Sequence, residues 1–194
     1  MSIADHALIL SHHPATPSPF VHAIKARVTR KSDNHLVFNF RLMGDIDRLI
    51  IPAPQVAAPA DKLWEHTCFE AFIAIADEPA YREFNFSPSG QWAAYAFSDY
   101  RQRDDVVTNQ LISIASPRIL IRTFADRLEL DAIIPPNALP HLANGATLQC
   151  GLSAVIEDTD GGRSYWALRH TAAHPDFHLR DAFAFELADT HTTV

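Results

Sequence analysis

The amino-acid sequence predicts an all-β protein, a sandwich or barrel of about ten short strands. Apolar and polar residues alternate with a period of two over most of the chain. Turn residues separate nearly all of these alternating segments, and segments with a helical pattern are scarce. The chain has 194 residues, of which 47% are hydrophobic and 20% charged. This size and composition suit one large β domain with a real core.

The first two strands are expected to form a hairpin. Residues 24–29 and 36–42 both alternate, and Ser32, Asp33 and Asn34 between them supply turn chemistry. Only the stretch 135–143 could form a short helix, and Pro140 limits it to one or two turns. Further strands are predicted at residues 48–51, 67–75, 81–86, 91–97, 111–115, 118–124, 128–134, 147–157 and 183–187.

Residues 1–19 are expected to form an extended N-terminal arm, followed by a single domain over residues 20–190. Three prolines between positions 11 and 19 deny the backbone donors that a strand or helix uses. The N-terminus has no basic region and only the short apolar run 7–10, which predicts neither a signal peptide nor a membrane span. Cys68 and Cys150 fall in apolar stretches and are interpreted as buried free thiols. A cytoplasmic protein is therefore expected.

The charge distribution argues against two classes of partner. The net charge is −7, with acidic and basic residues interspersed. No stripe of lysine and arginine is present that could neutralise a run of phosphates. Neither nucleic acid nor an anionic membrane is expected as a partner.

The segment 61–101 carries the strongest functional signal. His66, Cys68 and Glu70 recur at every second position opposite an apolar face, which places an imidazole and a carboxylate on one side of a strand. In the next strand, Glu83 and Asn85 alternate with phenylalanines. If these strands pair, His66, Glu70, Glu83 and Asn85 form a polar wall.

Four stretches of sequence carry a family resemblance. They are D-K-L-W-E at 61–65, Y-R-E-F at 81–84, S-P-S-G-Q-W at 87–92, and residues 163–187. In them the chain resembles the DOMON-like, family-9 carbohydrate-binding-module (CBM9-like) group. The resemblance implies a two-sheet antiparallel immunoglobulin-like β-sandwich of about ten strands, with at most one or two short helices. It also implies a ligand site on one sheet or between the sheets.

Relatives in this group bind sugars, haem or unknown ligands, and some lie beside cell-wall precursor enzymes. The first hypothesis is therefore a non-catalytic ligand-binding module for a carbohydrate or a sugar-containing small molecule. The second is a haem- or metal-binding redox or hydrolytic protein. The third is a structural interaction domain, which would show a large flat apolar patch and no pocket.

Sugar-binding relatives stack aromatic side chains on pyranose faces, while polar residues hold the hydroxyls. A tryptophan on a sandwich strand is usually a core residue, which is the alternative interpretation of Trp92 and Trp166. Trp64 lies near a loop-to-strand boundary and is expected to be the most exposed. For Glu70 and Glu83 the alternative is a solvated sheet face. The counterparts in this chain are Trp64, His66, Glu70, Glu83, Asn85, Trp92 and Trp166.

Haem-binding relatives use a methionine and a histidine as axial ligands. Met43 is the only internal methionine and follows the strand predicted at 36–42. A histidine together with Met43 would be the haem ligands under the second hypothesis. A methionine at a strand end is more commonly a filler of gaps in the core.

The C-terminal histidines suggest a divalent metal. His170, His174 and His178 recur every four residues, with Asp176 between the last two. Pro175 opposes a helix, but in an extended segment His174, Asp176 and His178 share a side and suit a two-histidine, one-carboxylate site. The alternative is a loop in which Asp176 and His178 bond to the backbone.

The sequence contains no G-x-S-x-G, H-E-x-x-H, Walker-type or G-x-G-x-x-G motif, so no catalytic residue is assigned. A hydrolase built on the paired carboxylates of Glu70 and Glu83 stays open. Cys68 with His66 is a poorer nucleophile pair, because residues two apart on a strand rarely make the required hydrogen bond.

Overall fold

The computed structural model describes residues 7–141 and 146–188. Its helical elements are α1 Asp105–Ala115 and short 3-10 helices at Ile46–Arg48, Leu63–Glu65, Pro136–Ala138 and Arg180–Ala182. Its strands are β1 Leu8–His12, β2 Val21–Arg30, β3 Leu36–Gly44, β4 Cys68–Ile75, β5 Tyr81–Phe86, β6 Trp92–Asp99, β7 Gln102–Arg103, β8 Arg118–Thr123, β9 Arg127–Ile134, β10 Thr147–Glu157, β11 Arg163–Ala167 and β12 Phe185–Ala188.

The strands pair antiparallel and form two layers. The first sheet has the order β1-β2-β3-β9-β8, and the second has the order β7-β6-β5-β4-β10-β11, with β12 also paired to β10. Phe40 of the first sheet packs on Phe69 of the second, with 5.1 Å between ring centroids. Phe38 and Phe86 are 6.3 Å apart in the same way. The main core thus lies between the sheets, and the predicted all-β sandwich is confirmed.

Strand β1 belongs to both sheets, where the sequence predicts only an extended arm. Leu8, Ile9 and Leu10 pair with β2, whereas Ser11 and His12 pair with β11. The short apolar run 7–10 is therefore part of the fold, because its backbone groups have partners in two sheets. Residues 1–6 of the predicted arm, and residues 142–145 and 189–190 of the predicted domain, lie outside the described residues.

Helix α1 replaces the strand predicted at 111–115. The carboxylate of Asp104 caps the helix by accepting from the backbone N–H of Val107 at 2.9 Å. Leu111 and Ala115, four residues apart, are both buried. The β-branched residues of this segment suggest a strand, but the cap and the spacing of the buried residues decide for a helix.

The strand predicted at 48–51 is also wrong. Residues Ile46–Arg48 form a 3-10 helix, and Leu49 makes only an isolated bridge to Asp158. The other predicted strands are present with small differences at their ends, and the hairpin of β2 and β3 is confirmed. The stretch 135–143 forms one 3-10 turn at its start, and its last two residues lie outside the described ranges.

The second sheet is covered on both faces. On its outer face, Phe72, Tyr81 and Phe183 form a small apolar cluster. The residues between β11 and β12, here called the C-terminal segment (168–184), cross this face. Gly151 of β10 permits their close approach, since a Cβ there would lie 2.9 Å from the Phe183 ring. The C-terminal segment covers part of the sheet and leaves a pocket beside it.

Among the described residues, no helix is both long enough and apolar enough to cross a membrane.

Candidate ligand-binding pocket

A pocket of about 480 Å³ lies on the outer face of the second sheet. Its floor comes from adjacent strands, because Phe72, Glu83 and Tyr95 lie opposite one another on β4, β5 and β6. The floor comprises Glu70, Phe72, Glu83, Tyr95, Phe97 and Val155. The walls comprise Trp64, Glu65, Arg101, Arg103, Arg163, Tyr165, Pro175, Phe177 and His178.

Two buried glutamates form the polar part of the floor. Glu70 and Glu83 are only 2% and 5% exposed. The hydroxyl of Ser153 donates to the Glu70 carboxyl at 2.9 Å, and the amide of Asn85 donates to the Glu83 carboxyl at 2.7 Å. Glu70 also lies directly opposite Asn85 in the strand pair. The structure thus brings together three of the four residues of the predicted polar wall.

Burial raises the pKa of the Glu70 and Glu83 carboxyls well above their usual range. For Glu70, repulsion from Glu83 adds to the effect of burial, and the Ser153 hydrogen bond partly opposes it. For Glu83, the hydrogen bond from Asn85 partly opposes the effect of burial. A carboxyl with a raised pKa keeps its proton to higher pH, so it can donate a hydrogen bond as well as accept one.

This burial predicts a pH-dependent stability. An acid with a raised folded-state pKa stabilises the fold at pH values below its ordinary pKa, and that stability is lost as the pH rises through the folded-state value. The wild type should therefore lose stability relative to Glu70→Gln as the pH rises. We expect the free energy of unfolding of Glu70→Gln minus that of the wild type to increase by about 2 kcal/mol between about pH 5.5 and about pH 8. Urea unfolding at both pH values measures the difference.

The comparison with the variant is needed because His178 acts in the opposite direction. Burial lowers the pKa of His178 to about 4, and a lowered histidine pKa makes stability rise with pH in the same range. Taking the difference between the free energies of unfolding of the two proteins cancels the contribution of His178. Parallel pH profiles of the free energy of unfolding for wild type and Glu70→Gln would show that folding does not raise the pKa of Glu70.

His178 faces the floor as a neutral imidazole, because burial lowers its pKa. The backbone N–H of Arg101 donates to the Tyr81 hydroxyl at 3.1 Å, and this hydroxyl lies 2.8 Å from Nδ1 of His178. We assign the hydroxyl as the donor to Nδ1, which uses its proton as well as one of its lone pairs. Nε2 of His178 therefore carries the ring proton, and it lies 3.8 Å from Oε2 of Glu83. This separation exceeds a hydrogen bond and leaves both groups able to bond to a ligand hydroxyl.

Asp176 holds the C-terminal segment against the turn between β6 and β7. Its buried carboxylate accepts from the Tyr100 hydroxyl at 2.6 Å, from Nη2 of Arg101 at 3.0 Å and from the backbone N–H of His178 at 3.0 Å. Burial opposes the charge, but these hydrogen bonds hold the pKa of Asp176 below its usual range. Asp176 thereby positions both Arg101 and His178 at the pocket.

The aromatic residues divide between the pocket and the core. Trp64 is 38% exposed and packs edge-on against Tyr95, with 5.7 Å between ring centroids. Trp92 and Trp166 are each only 4% exposed and lie in the core between the sheets. The structure therefore places neither of them where a ligand in the pocket could stack on it. Inward-facing positions of a sandwich are apolar, which explains their burial.

His66 lies outside the pocket. It immediately follows the 3-10 helix Leu63–Glu65 and precedes β4, so it does not share the strand geometry that aligns Glu70 with its neighbours. Its Nδ1 instead lies 3.0 Å from Oε2 of Glu157. Burial raises the pKa of the nearby Cys68 thiol well above its usual range, which opposes a nucleophilic role.

Among the residues predicted to bind a metal or haem, His170 and His178 bond to other groups and His174 is exposed. Nε2 of His170 bonds to the carbonyl of Ser11 at 2.8 Å. Within the described ranges, no group of three or more His, Cys, Asp or Glu side chains is placed to hold a metal ion. Met43 lies half-buried on β3, opposite Arg127 of β9.

Sequence reasoning missed most of the pocket wall. Arg101 is presented by a turn in which its φ is 52°, a left-handed conformation. Phe177 comes from the C-terminal segment, and its ring lies 6.2 Å from that of Tyr165 on β11. One signal was available: Phe72 follows Glu70 on the supposedly polar face of β4, which indicates that this face is covered too.

The comparisons with known proteins rest on structure alone, because no family profile and no curated protein matches the sequence. A candidate carbohydrate-binding protein from Bacteroides uniformis ATCC 8492 superimposes with a TM-score of 0.68 at 13% identity, over 94% of this chain and 84% of that one. A family-9 carbohydrate-binding module from Caldicellulosiruptor kristjanssonii, in complex with cellotriose, gives 0.51 at 12% identity, over 84% and 72%. The fold is therefore CBM9-like.

Proposed function

We propose that this chain is a non-catalytic carbohydrate-binding module whose ligand occupies the pocket on the outer face of the second sheet. The observation that carries the proposal is an exposed indole beside a floor of buried, hydrogen-bonded carboxyls. The volume of about 480 Å³ falls in the range of small-molecule sites. The two CBM9-like structural neighbours, one of them bound to cellotriose, add support from the fold.

The pocket offers what a sugar requires. A sugar hydroxyl both donates and accepts, and here Glu83 and the Nε2–H of His178 present an acceptor and a donor 3.8 Å apart. The C–H faces of a pyranose pack on aromatic rings, and Trp64, Tyr165 and Phe177 stand at the wall. A paired-carboxylate hydrolase would use the same two glutamates, so binding and turnover have to be measured separately.

A saccharide screen tests the proposal. Neutral and acidic mono- and oligosaccharides, cellotriose among them, are added to the purified protein and followed by thermal shift and calorimetry. A binding saccharide at one hundred times its dissociation constant adds about 2.7 kcal/mol of stability. Failure of every saccharide in the panel to bind would overturn the proposal. Release of reducing ends from a bound oligosaccharide would show that the protein is a hydrolase and not a non-catalytic module.

Glu70→Gln is expected to weaken saccharide binding by about tenfold while the protein stays folded, because Gln keeps the shape but fixes the donor and acceptor ends. Calorimetry with the saccharide that binds most tightly measures the change. Glu78→Gln, in the loop between β4 and β5, makes the same replacement outside the pocket and serves as the control. Equal affinities for wild type and Glu70→Gln would remove Glu70 from the binding site.

A further inference from the structure

Three arginines lie on the pocket wall, and one of them has no acidic partner among the described residues. Arg163, at the start of β11, is exposed and lines the pocket. Across the described part of the chain, its guanidinium makes neither a hydrogen bond nor an ion pair. An unpaired guanidinium beside a pocket has five donors to offer to an acceptor on a ligand.

The strand register shows why Arg163 is unpaired. Glu157 of β10 lies directly opposite Arg163, which is the usual position for a cross-strand ion pair. The Glu157 carboxylate instead contacts Nδ1 of His66 at 3.0 Å. Because the Glu157 carboxylate pairs with His66, it does not neutralise Arg163.

The other two arginines extend the positive rim. Arg101 bonds to Asp176 through Nη2, and Arg103 bonds to Asp105 through Nε at 2.9 Å. Both are about half exposed, and the guanidinium of Arg103 lies over the Tyr95 ring, 4.7 Å from its centroid. Each arginine therefore keeps donors that its acidic partner does not use.

The acidic residues of the pocket do not offset the positive charge of these arginines. Glu65 is the one exposed acid among the lining residues, and its carboxylate lies 3.6 Å from Nζ of Lys62. Glu70 and Glu83 lie buried in the floor, where desolvation disfavours their charged forms. The entrance is thus positively charged above a floor of low charge.

We propose that the saccharide bound in this pocket is anionic, with a carboxylate or phosphate group held by Arg163 and supported by Arg101 and Arg103. The inference rests on the proposed function and narrows its ligand class. Arginine forks match the two oxygens of a carboxylate or phosphate, whereas a neutral sugar would leave Arg163 without a charged partner.

Matched probes test the charge of the ligand. Glucose, glucuronate, glucose 6-phosphate and inorganic phosphate are titrated into the whole chain by calorimetry, at ionic strengths of about 0.01 M and about 0.15 M. We expect one or both acidic sugars to bind at least about tenfold more tightly than glucose at low salt, with a smaller ratio at higher salt. Comparing the two acidic sugars identifies the carboxylate or the phosphate as the group recognised.

Each result bears on a different claim. Glucose binding as tightly as both acidic sugars overturns the anionic ligand and leaves the carbohydrate-binding function standing. Binding of none of the three sugars overturns the anionic ligand as well, and the saccharide screen then decides the function. Inorganic phosphate binding as tightly as glucose 6-phosphate shows a simple anion site and overturns the saccharide proposal.

Four variants locate the effect. Arg163→Gln should lower affinity for the acidic sugar by about tenfold or more, and affinity for a neutral sugar by clearly less. Arg118→Gln, on edge strand β8 of the first sheet, is the matched charge control. His66→Ala should weaken acidic-sugar binding by freeing Glu157 to pair with Arg163. Adding Glu157→Gln to His66→Ala should restore that affinity, and no restoration would exclude this role of His66.

Discussion

Replacing Asp176 with alanine is expected to lower the free energy of unfolding by about 2–3 kcal/mol and the melting temperature by about 4–10 °C. The reason is that the buried carboxylate accepts three hydrogen bonds, from Tyr100, Arg101 and the backbone of His178. Removing it leaves these donors without their acceptor and frees the C-terminal segment from the β6–β7 turn. Saccharide affinity should fall by at least about tenfold, because His178 and Arg101 lose their positions.

Asp176→Asn provides the matched control for this prediction. Its carbonyl oxygen can still accept from Arg101 and His178, and its amide can donate to the Tyr100 hydroxyl, which also accepts. We expect it to lose less stability than the alanine variant and to keep most of the binding. An alanine variant with the melting temperature of the wild type would contradict the proposed role of Asp176 as a clamp.

Replacing Trp64 with alanine is expected to weaken saccharide binding by at least about thirtyfold, the effect of losing a central aromatic contact of at least about 2 kcal/mol. Because Trp64 is 38% exposed, its removal should change the melting temperature little. Calorimetry with the saccharide that binds most tightly in the screen, together with a thermal melt, separates these two effects.

Trp64→Phe retains an aromatic face of smaller area and should recover part of the affinity. Trp92→Phe is the contrasting variant, since Trp92 lies in the core between the sheets and should affect stability but not binding. Unchanged affinity in Trp64→Ala would exclude stacking on this indole and would move the ligand to another part of the pocket.

The period-two pattern sufficed to predict the sandwich because each strand has one face in the core between the sheets. Phe38 and Phe40 in β3 illustrate this, as does Phe69 in β4. The pattern failed at α1, where valines, isoleucines and threonine favour a strand locally. The Asp104 cap and the contact of Leu111 and Ala115 with the core outweigh that preference.

The floor of the pocket was predictable for the same reason, since strand pairing alone places Glu70 opposite Asn85. The wall was not, because Arg101 and His178 reach the pocket from irregular segments that alternation does not describe. Their positions depend on long-range contacts such as that of His178 with Tyr81, 97 positions away. His66 shows the converse, as its two-residue spacing from Cys68 has meaning only inside a strand.

The residue that follows β1 ties the N-terminal part of the chain to the C-terminal segment. This residue, His13, accepts from the backbone N–H of Ala15 through Nδ1 and donates through Nε2 to the carbonyl of Ala172, 159 positions away, at 3.1 Å. The hydrogen bond to Ala172 anchors the same C-terminal segment that carries His178. Contacts between such distant positions form slowly during folding. The part of the pocket wall that carries His178 therefore depends on a contact between the N-terminal part of the chain and the C-terminal segment.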